Sequence, residues 1–244
     1  TKANLGKKII YTIGRRPSLG VLIDRIKNKR KRLGIKDHLK KAFPNSSFNG
    51  AIHAVEHHTA HLSSAFHVCP FNEAVVVSID GFGDFASTAW GVGSGTKINL
   101  KDRIYFPHSL GIFYQAITQL LGFNNYGDEY KVMGLAPYGK PHYIDQMREI
   151  IKIKSNGNFE LNLNYFRHHR EKIDYKWEDS SPFVGTLFSL ELEKLLGRAR
   201  KKNEELTQHH KNIANSAQLI YEEAFFSLLN KLQKKYNLDN VAIA

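Results

Sequence analysis

Apolar residues run along the chain in two rhythms, and the rhythms predict its elements. From Ala74 to Ile79 they are almost continuous (Ala-Val-Val-Val-Ser-Ile), as in a strand covered on both faces. Residues 87–92 and 97–104 read as further strands, with Gly91, Gly93 and Gly95 marking the turn between them. Shorter strands are expected over 7–13, 51–55 and 241–244, and a strand pair over 157–165. Elsewhere the period is helical. Leu110, Phe113, Ile117, Leu120 and Leu121 predict a helix over 109–123 with Ser109 as its N-cap. Ile213, Ala217, Ile220, Ala224, Leu228 and Leu232 predict a long amphipathic helix over 206–236. Helices are also expected over 142–154 and 186–196, a glycine- and proline-rich loop over 127–139, and a polar, irregular insertion over 167–181. The order of elements is α/β, without internal repeat.

Composition narrows the class. A chain of 244 residues with 42% hydrophobic content can bury a large core. The single cysteine, Cys69, excludes an internal disulfide and fits a reducing compartment. No apolar run approaches a membrane span and no signal-peptide core opens the chain, so a cytoplasmic protein without a membrane partner is expected. The net charge of +12 is local: residues 1–43 hold fourteen Lys and Arg against two Asp, and the remainder is balanced at 21 of each sign. Residues 1–43 therefore read as a basic, mostly helical region, with Leu22, Ile26, Leu33 and Leu39 at roughly helical spacing, and 44–244 as the main domain. A solvated helix face is the ordinary fate of such a charge run, and an anionic partner the other. No aromatic residue interleaves it between Arg25 and Lys41, which argues against base stacking and nucleic acid.

The candidate chemistry sits in the middle. His57 and His61 are four apart, so on a helix they share a face and could share an ion. The strand over 74–79 ends in Asp80-Gly81-Phe82-Gly83-Asp84, which reads as a hairpin turn bringing carboxylates and bare backbone to one place. Imidazole with carboxylate suits a divalent transition metal, and Gly81 and Gly83 leave room for phosphate groups. Asp-Gly is also an ordinary turn pair, and Asp84 is either a turn former or a ligand. His58 points off the shared face and reads as a surface or supporting residue, and His209 and His210 as helix-end or packing residues. Lys131, inside the loop over 127–139, could supply a cation.

Five blocks then carry a resemblance: His57-His58-Thr59-Ala60-His61, Ser78-Ile79-Asp80-Gly81-Phe82-Gly83-Asp84, Phe106-Pro107-His108-Ser109-Leu110-Gly111, Glu129-Tyr130-Lys131-Val132-Met133-Gly134-Leu135-Ala136-Pro137-Tyr138-Gly139, and His210-Lys211-Asn212-Ile213-Ala214-Asn215-Ser216-Ala217-Gln218. In this order the chain resembles the NodU/CmcH-type O-carbamoyltransferases. The resemblance implies an actin/hexokinase-like (ASKHA) nucleotide-binding fold, here a fragment of the Kae1-like domain. It implies an enzyme that forms carbamoyl adenylate from carbamoyl phosphate and ATP (with Mg) and passes the carbamoyl group to a hydroxyl of a small acceptor. Carried onto this chain, it assigns His57, His61 and Asp80 to Fe(II) or another divalent transition metal. A further aspartate ligand is expected beyond Ala244. Gly81, Gly83, Lys131, Gly134 and Leu135 are assigned to the nucleotide or carbamoyl adenylate, with Lys131 catalytic.

The family's opening segment, with its early histidine, and the glycine pair after the strand over 241–244 do not occur within these residues. A YrdC-like domain is expected C-terminal to them. A fragment with half a nucleotide cleft, inactive by itself, is the expectation. A tRNA threonylcarbamoyl-transfer protein is the alternative within the superfamily, ranked lower because the block over 129–139 resembles the small-molecule branch. A non-catalytic interaction module is the alternative outside it.

Overall fold

The computed structural model describes residues 4–15, 34–178 and 181–244, which fall into two compact units. One comprises residues 1–55 with 170–172, the other 56–169 with 173–244. Most of the expected helix over 22–39 lies outside the described residues.

In the first unit, helices α1 (Leu5–Arg15) and α2 (Ile35–Ala42) are described. The strand expected over 7–13 is thus helix. The β-branched pair Ile9-Ile10 suggested a strand, but Leu5, Ile9 and Ile13 step by four and set a helical stripe. Residues 51–55 form no strand either, and Ile52 and Val55 are exposed without a sheet neighbour.

The second unit is a mixed α/β structure around a four-stranded sheet of order β3-β2-β1-β8. Helix α3 (His57–Phe66) precedes a meander of β1 (Glu73–Gly83), β2 (Ala86–Ser94) and β3 (Lys97–Tyr105). Strand β8 (Val241–Ile243), parallel to β1, pairs Val75 with Val241 and Val77 with Ile243. Side chains of β1 alternate between faces as a pleated strand requires. Ala74 and Val76 join Leu62 and Phe66 of α3 in one cluster. Val75 and Val77 join Phe113, Ile117 and Leu120 of α4 (Leu110–Leu120) in the other, together with Ile213, Ala217 and Ile220 of α8 (Gln208–Tyr236). The nearly continuous apolar run is thereby explained, since both faces of β1 are covered.

The glycines of β2 have different duties from those expected. Only Gly95, at φ +57°, lies in the turn to β3. A Cβ at Gly93 would come within 2.5 Å of the Phe66 ring, so this glycine lets α3 lie flat on the sheet.

The predicted loop over 127–139 is instead α5 (Glu129–Leu135), running into a 3-10 turn at Ala136–Tyr138. Its glycines and proline fall at the ends of that unit except for Gly134, and Val132 is buried in the core. The helix expected over 142–154 is only α6 (Ile144–Ile150); the chain then becomes β4 (Ile151–Ile153), paired with β5 (Phe159–Leu161) through a turn at Gly157, φ +82°. The β-branched Ile151 and Ile153 favour the strand. The insertion over 167–181 contains β6 (Tyr175–Glu178), which pairs with β7 (Ser181–Val184). Helix α7 (Leu190–Leu196) starts later than expected, behind Ser189.

An aromatic cluster supports the end of the β1–β2 hairpin. Phe82 lies 4.9 Å from Phe106 and 5.8 Å from His168, centroid to centroid. His168 Nε2 donates to the Pro107 carbonyl at 2.8 Å. Burial pushes the His168 imidazole down to about 4, so the folded chain holds it neutral where an unfolded one would protonate it. Stability is accordingly expected to fall as pH drops from about 6.5 toward 4, by about 3 kcal/mol for this group. Urea unfolding of His168→Gln across that window is expected to show a shallower pH slope than the parent chain.

Candidate metal centre

Helix α3 is positioned before its histidines act. Glu56, extended at φ −67° and ψ 140°, caps it, and its carboxylate accepts from the Thr59 N–H and hydroxyl, both at 2.8 Å. Arg103 of β3 lies 3.4 Å from the same oxygen. Burial pushes the Glu56 carboxyl up, but the Thr59 bonds and the Arg103 charge outweigh it and hold it below the usual range. From the hairpin turn, Asp84 accepts from the His57 N–H at 3.1 Å. Two carboxylates thus meet the positive end of the helix dipole.

His58 is buried, not on the surface. Its Nε2 lies 3.0 Å from the Ala86 carbonyl and its Nδ1 2.9 Å from Ser78 Oγ. A carbonyl only accepts, so Nε2 carries the proton and Nδ1 accepts from the serine. Burial keeps this imidazole below its ordinary pKa. It joins α3 to β1 and β2 and leaves His57 and His61 on the flank facing the strand end.

The strand end itself bends. Pairing of β1 with β2 loses register between Ile79 and Gly83, and residues 80–83 belong to a bulged strand, not a turn. The turn is Asp84-Phe85, both at positive φ (48° and 77°), as a two-residue hairpin requires. The bulge aims Asp80 at the helix. Its Oδ2 lies 2.6 Å from His57 Nε2 and 3.6 Å from His61 Nε2, and the two Nε2 atoms are 3.0 Å apart. Oδ1 accepts from the Gly81 N–H at 2.6 Å. Burial pushes the Asp80 carboxyl up, but the His57 hydrogen bond, the Gly81 N–H and the neighbouring imidazoles outweigh it and hold it low.

These three donors fit a metal ion. All lie within 4.8 Å of one another. Ligand bonds of about 2.0–2.2 Å in tetrahedral or octahedral arrays separate neighbouring donors by about 3.0–3.5 Å, against 3.0 and 3.6 Å here. The closer His57–Asp80 pair is a hydrogen-bond contact. The three side chains are 35–40% exposed, so one side stays open to a ligand.

The remaining sequence-derived candidates separate into two groups. A Cβ at Gly83 would lie 1.8 Å from His57 Cδ2, so Gly83 makes room for the imidazole. Gly81 faces open space. Ser109, the N-cap of α4, donates to the Asp80 carbonyl at 3.1 Å and so holds the same strand end. Lys131, Gly134 and Leu135 lie on α5. The Lys131 ammonium pairs with Asp128 at 2.6 Å, which raises its pKa, and sits 5.7 Å from the ring centres of Phe123 and Tyr130. None of these partners belongs to the histidine cluster. Gly134 is exposed with open space beside it, whereas Leu135 packs on the core. Two surface grooves, of about 480 Å³ at Glu73 and Lys97 and about 370 Å³ at Arg198 and His210, lie on other residues than these.

Sequence reasoning missed the residues that hold α5 and the turn after it. Asn212 Oδ1 accepts from the Lys140 N–H at 2.9 Å, Asn215 Nδ2 donates to the Ala136 carbonyl at 3.0 Å, and Ser216 Oγ accepts from the Tyr143 N–H at 3.0 Å. All three belong to the block over 210–218, whose polar residues on the buried side of α8 were the available signal. His210 closes a capping box with Thr207, a helix-end role, and His209 packs on Tyr143 with a 2.7 Å hydrogen bond, the two kinds of role expected of them.

Residues 23–244 match the family described as Carbamoyltransferase N-terminus. The chain belongs to this family. Its resemblance to NodU/CmcH-type enzymes holds over most of its length. It is 36% identical over 191 residues to the uncharacterized protein sll1178 of Synechocystis sp., covering 78% of this chain and 29% of that protein. It is 32% identical over 193 residues to the nodulation protein NolNO of Sinorhizobium fredii (78% and 25%) and 31% over 193 residues to NolO of Bradyrhizobium diazoefficiens (78% and 30%). The chain thus spans less than a third of the length of these relatives. Among the described residues, no helix of this family member is long and apolar enough to cross a membrane.

Gly83→Ala is expected to drive the His57 ring away from Asp80 and to cost about 1–3 kcal/mol. Chemical denaturation measures the cost, and a change in the His57 ring resonances at fixed pH reports the displacement.

Proposed function

We propose that this chain is the metal-bearing, Kae1-like part of an ATP-dependent O-carbamoyltransferase acting on a small hydroxylated molecule. The convergence of His57 Nε2, His61 Nε2 and Asp80 Oδ2 at a bulged strand end, in a carbamoyltransferase-family chain, carries the reading. A sheet with helices packed on both faces supports an actin/hexokinase-like fold.

His57, His61 and Asp80 would hold Fe(II) or another divalent transition metal, which would supply positive charge to offset that of the phosphate groups. The bare Gly81 backbone lets the nucleotide phosphates come close. Lys131, held protonated by Asp128, supplies a fixed positive charge to the anionic adenylate, beside the open backbone at Gly134. In the transfer, the acceptor oxygen forms a bond to the carbamoyl carbon, the bond from that carbon to the phosphate oxygen breaks, and AMP leaves; the acceptor's proton goes to solvent. A YrdC-like domain elsewhere in the polypeptide forms the carbamoyl adenylate from carbamoyl phosphate and ATP.

Incubating the full-length protein with carbamoyl phosphate, ATP, Mg and hydroxylated acceptors is expected to release AMP and a carbamoylated product. A folded protein that forms no AMP with any acceptor overturns the activity. His57→Ala with His61→Ala is expected to abolish bound transition metal, read by elemental analysis. Lys131→Gln is expected to keep the metal and slow transfer by about a hundredfold.

A further inference from the structure

The basic region has a second property besides its charge. On α1, Leu5, Ile9 and Ile13 step by four along one stripe with Ile10 beside it, and Lys7, Lys8 and Tyr11 take the opposite side. These four apolar side chains are 53%, 50%, 70% and 68% exposed, in that order, so nothing described covers the stripe. On α2, Ile35 and Leu39, followed by Phe43 just past its end, repeat the step of four. Ile35 and Phe43 are 45% and 59% exposed, and no residue of α2 is buried. Lys36 and Lys40 flank this second stripe, with Lys41 behind it. Both helices belong to the segment with fourteen basic and two acidic residues.

A partner must satisfy both properties at once. A solvated helix face would explain the lysines but leaves seven large apolar side chains without a purpose. Nucleic acid offers the negative charge and no apolar phase, and the segment has no aromatic residues placed for stacking between Arg25 and Lys41. An anionic bilayer offers phosphate and carboxylate headgroups immediately above hydrocarbon, which is what a short, basic, amphipathic helix matches when it lies in the plane of the interface. Helices of 11 and 8 residues are far below the roughly 20 needed to span, so the fit is to the surface.

We propose that α1 and α2, with Phe43 just past the end of α2, form a docking surface for an anionic lipid bilayer, with Leu5, Ile9, Ile10, Ile13, Ile35, Leu39 and Phe43 entering the headgroup boundary and the neighbouring lysines holding the headgroups. This goes beyond the carbamoyltransferase reading and does not rest on it. It also departs from the expectation of no membrane partner, which was based on the lack of a spanning segment and does not bear on peripheral binding.

The test is cosedimentation of the full-length protein with vesicles of phosphatidylcholine alone and of phosphatidylcholine mixed with phosphatidylserine. Binding to the mixed vesicles alone, weakening as salt is raised, is the expected result. Lys36→Gln, Lys40→Gln and Lys41→Gln together are expected to lower the partition coefficient on the order of a hundredfold. Ile9→Asp with Ile13→Asp is expected to lower it at least as far, with the far-ultraviolet circular dichroism of the protein retained. Equal binding to neutral vesicles overturns the proposal, as does binding that both variants leave intact. Absence of binding to either vesicle also overturns it and assigns the stripes to cover by another part of the polypeptide. Retention on RNA that survives Ile9→Asp and Ile13→Asp, without vesicle binding, assigns the charge to nucleic acid instead.

Discussion

The candidate site depends on one buried imidazole. His58 reaches Ser78 on β1 with one nitrogen and the Ala86 carbonyl on β2 with the other. A helix can rotate about its axis with little change in its own hydrogen bonds, but not once a buried polar side chain has two fixed partners. Leaving either unsatisfied costs about 1–3 kcal/mol. With α3 held at that angle, His57 and His61 face the end of β1. Glycines complete the fit: Gly93 admits Phe66 beneath the helix and Gly83 admits the His57 ring.

The second constraint is polar as well. Segment 136–143 is held on α8 by side chains of Asn212, Asn215 and Ser216 that bond its backbone. Gly139 approaches so closely that a Cβ would lie 1.9 Å from the Lys211 carbonyl. Backbone groups paired in this way fix a loop more narrowly than apolar contacts, which tolerate sliding. The helix carrying Lys131 runs directly into this segment, so its position is set by α8 and not by the histidine cluster. The histidine cluster and Lys131 therefore rest on separate supports, both anchored to the same core.

Much of this was legible in the residues, for specific reasons. The apolar run over 74–79 is strand because valine and isoleucine suit a pleat buried on both faces, and the periodic runs around Phe113 and Ile220 are helix because their spacing repeats a turn. The pairing of His57 with His61 follows from helical geometry alone, and the proximity of Asp80 was expected from motif order. Less legible were the short pieces. Local β-branching at Ile9-Ile10 pointed to a strand where a four-residue step made a helix, and the glycines of 127–139 pointed to a loop where burial of Val132 made one. The His57 ring beside Gly83 is a contact between distant segments that spacing does not show.

By itself, then, the sequence determined the α/β class, the principal strands and helices, the family, and the His57, His61 and Asp80 candidates, because each depends on spacing along one element or on motif order. Tertiary structure alone decided which way those residues point. The bulge that aims Asp80, the burial of His58, the cap from Asp84, and the grip of Asn212 and Asn215 on a distant backbone all depend on contacts between segments far apart in the chain. Such contacts leave no periodicity to read, since a hydrogen bond from the Lys140 N–H to Asn212 of α8 constrains geometry at both ends without imposing a pattern on either.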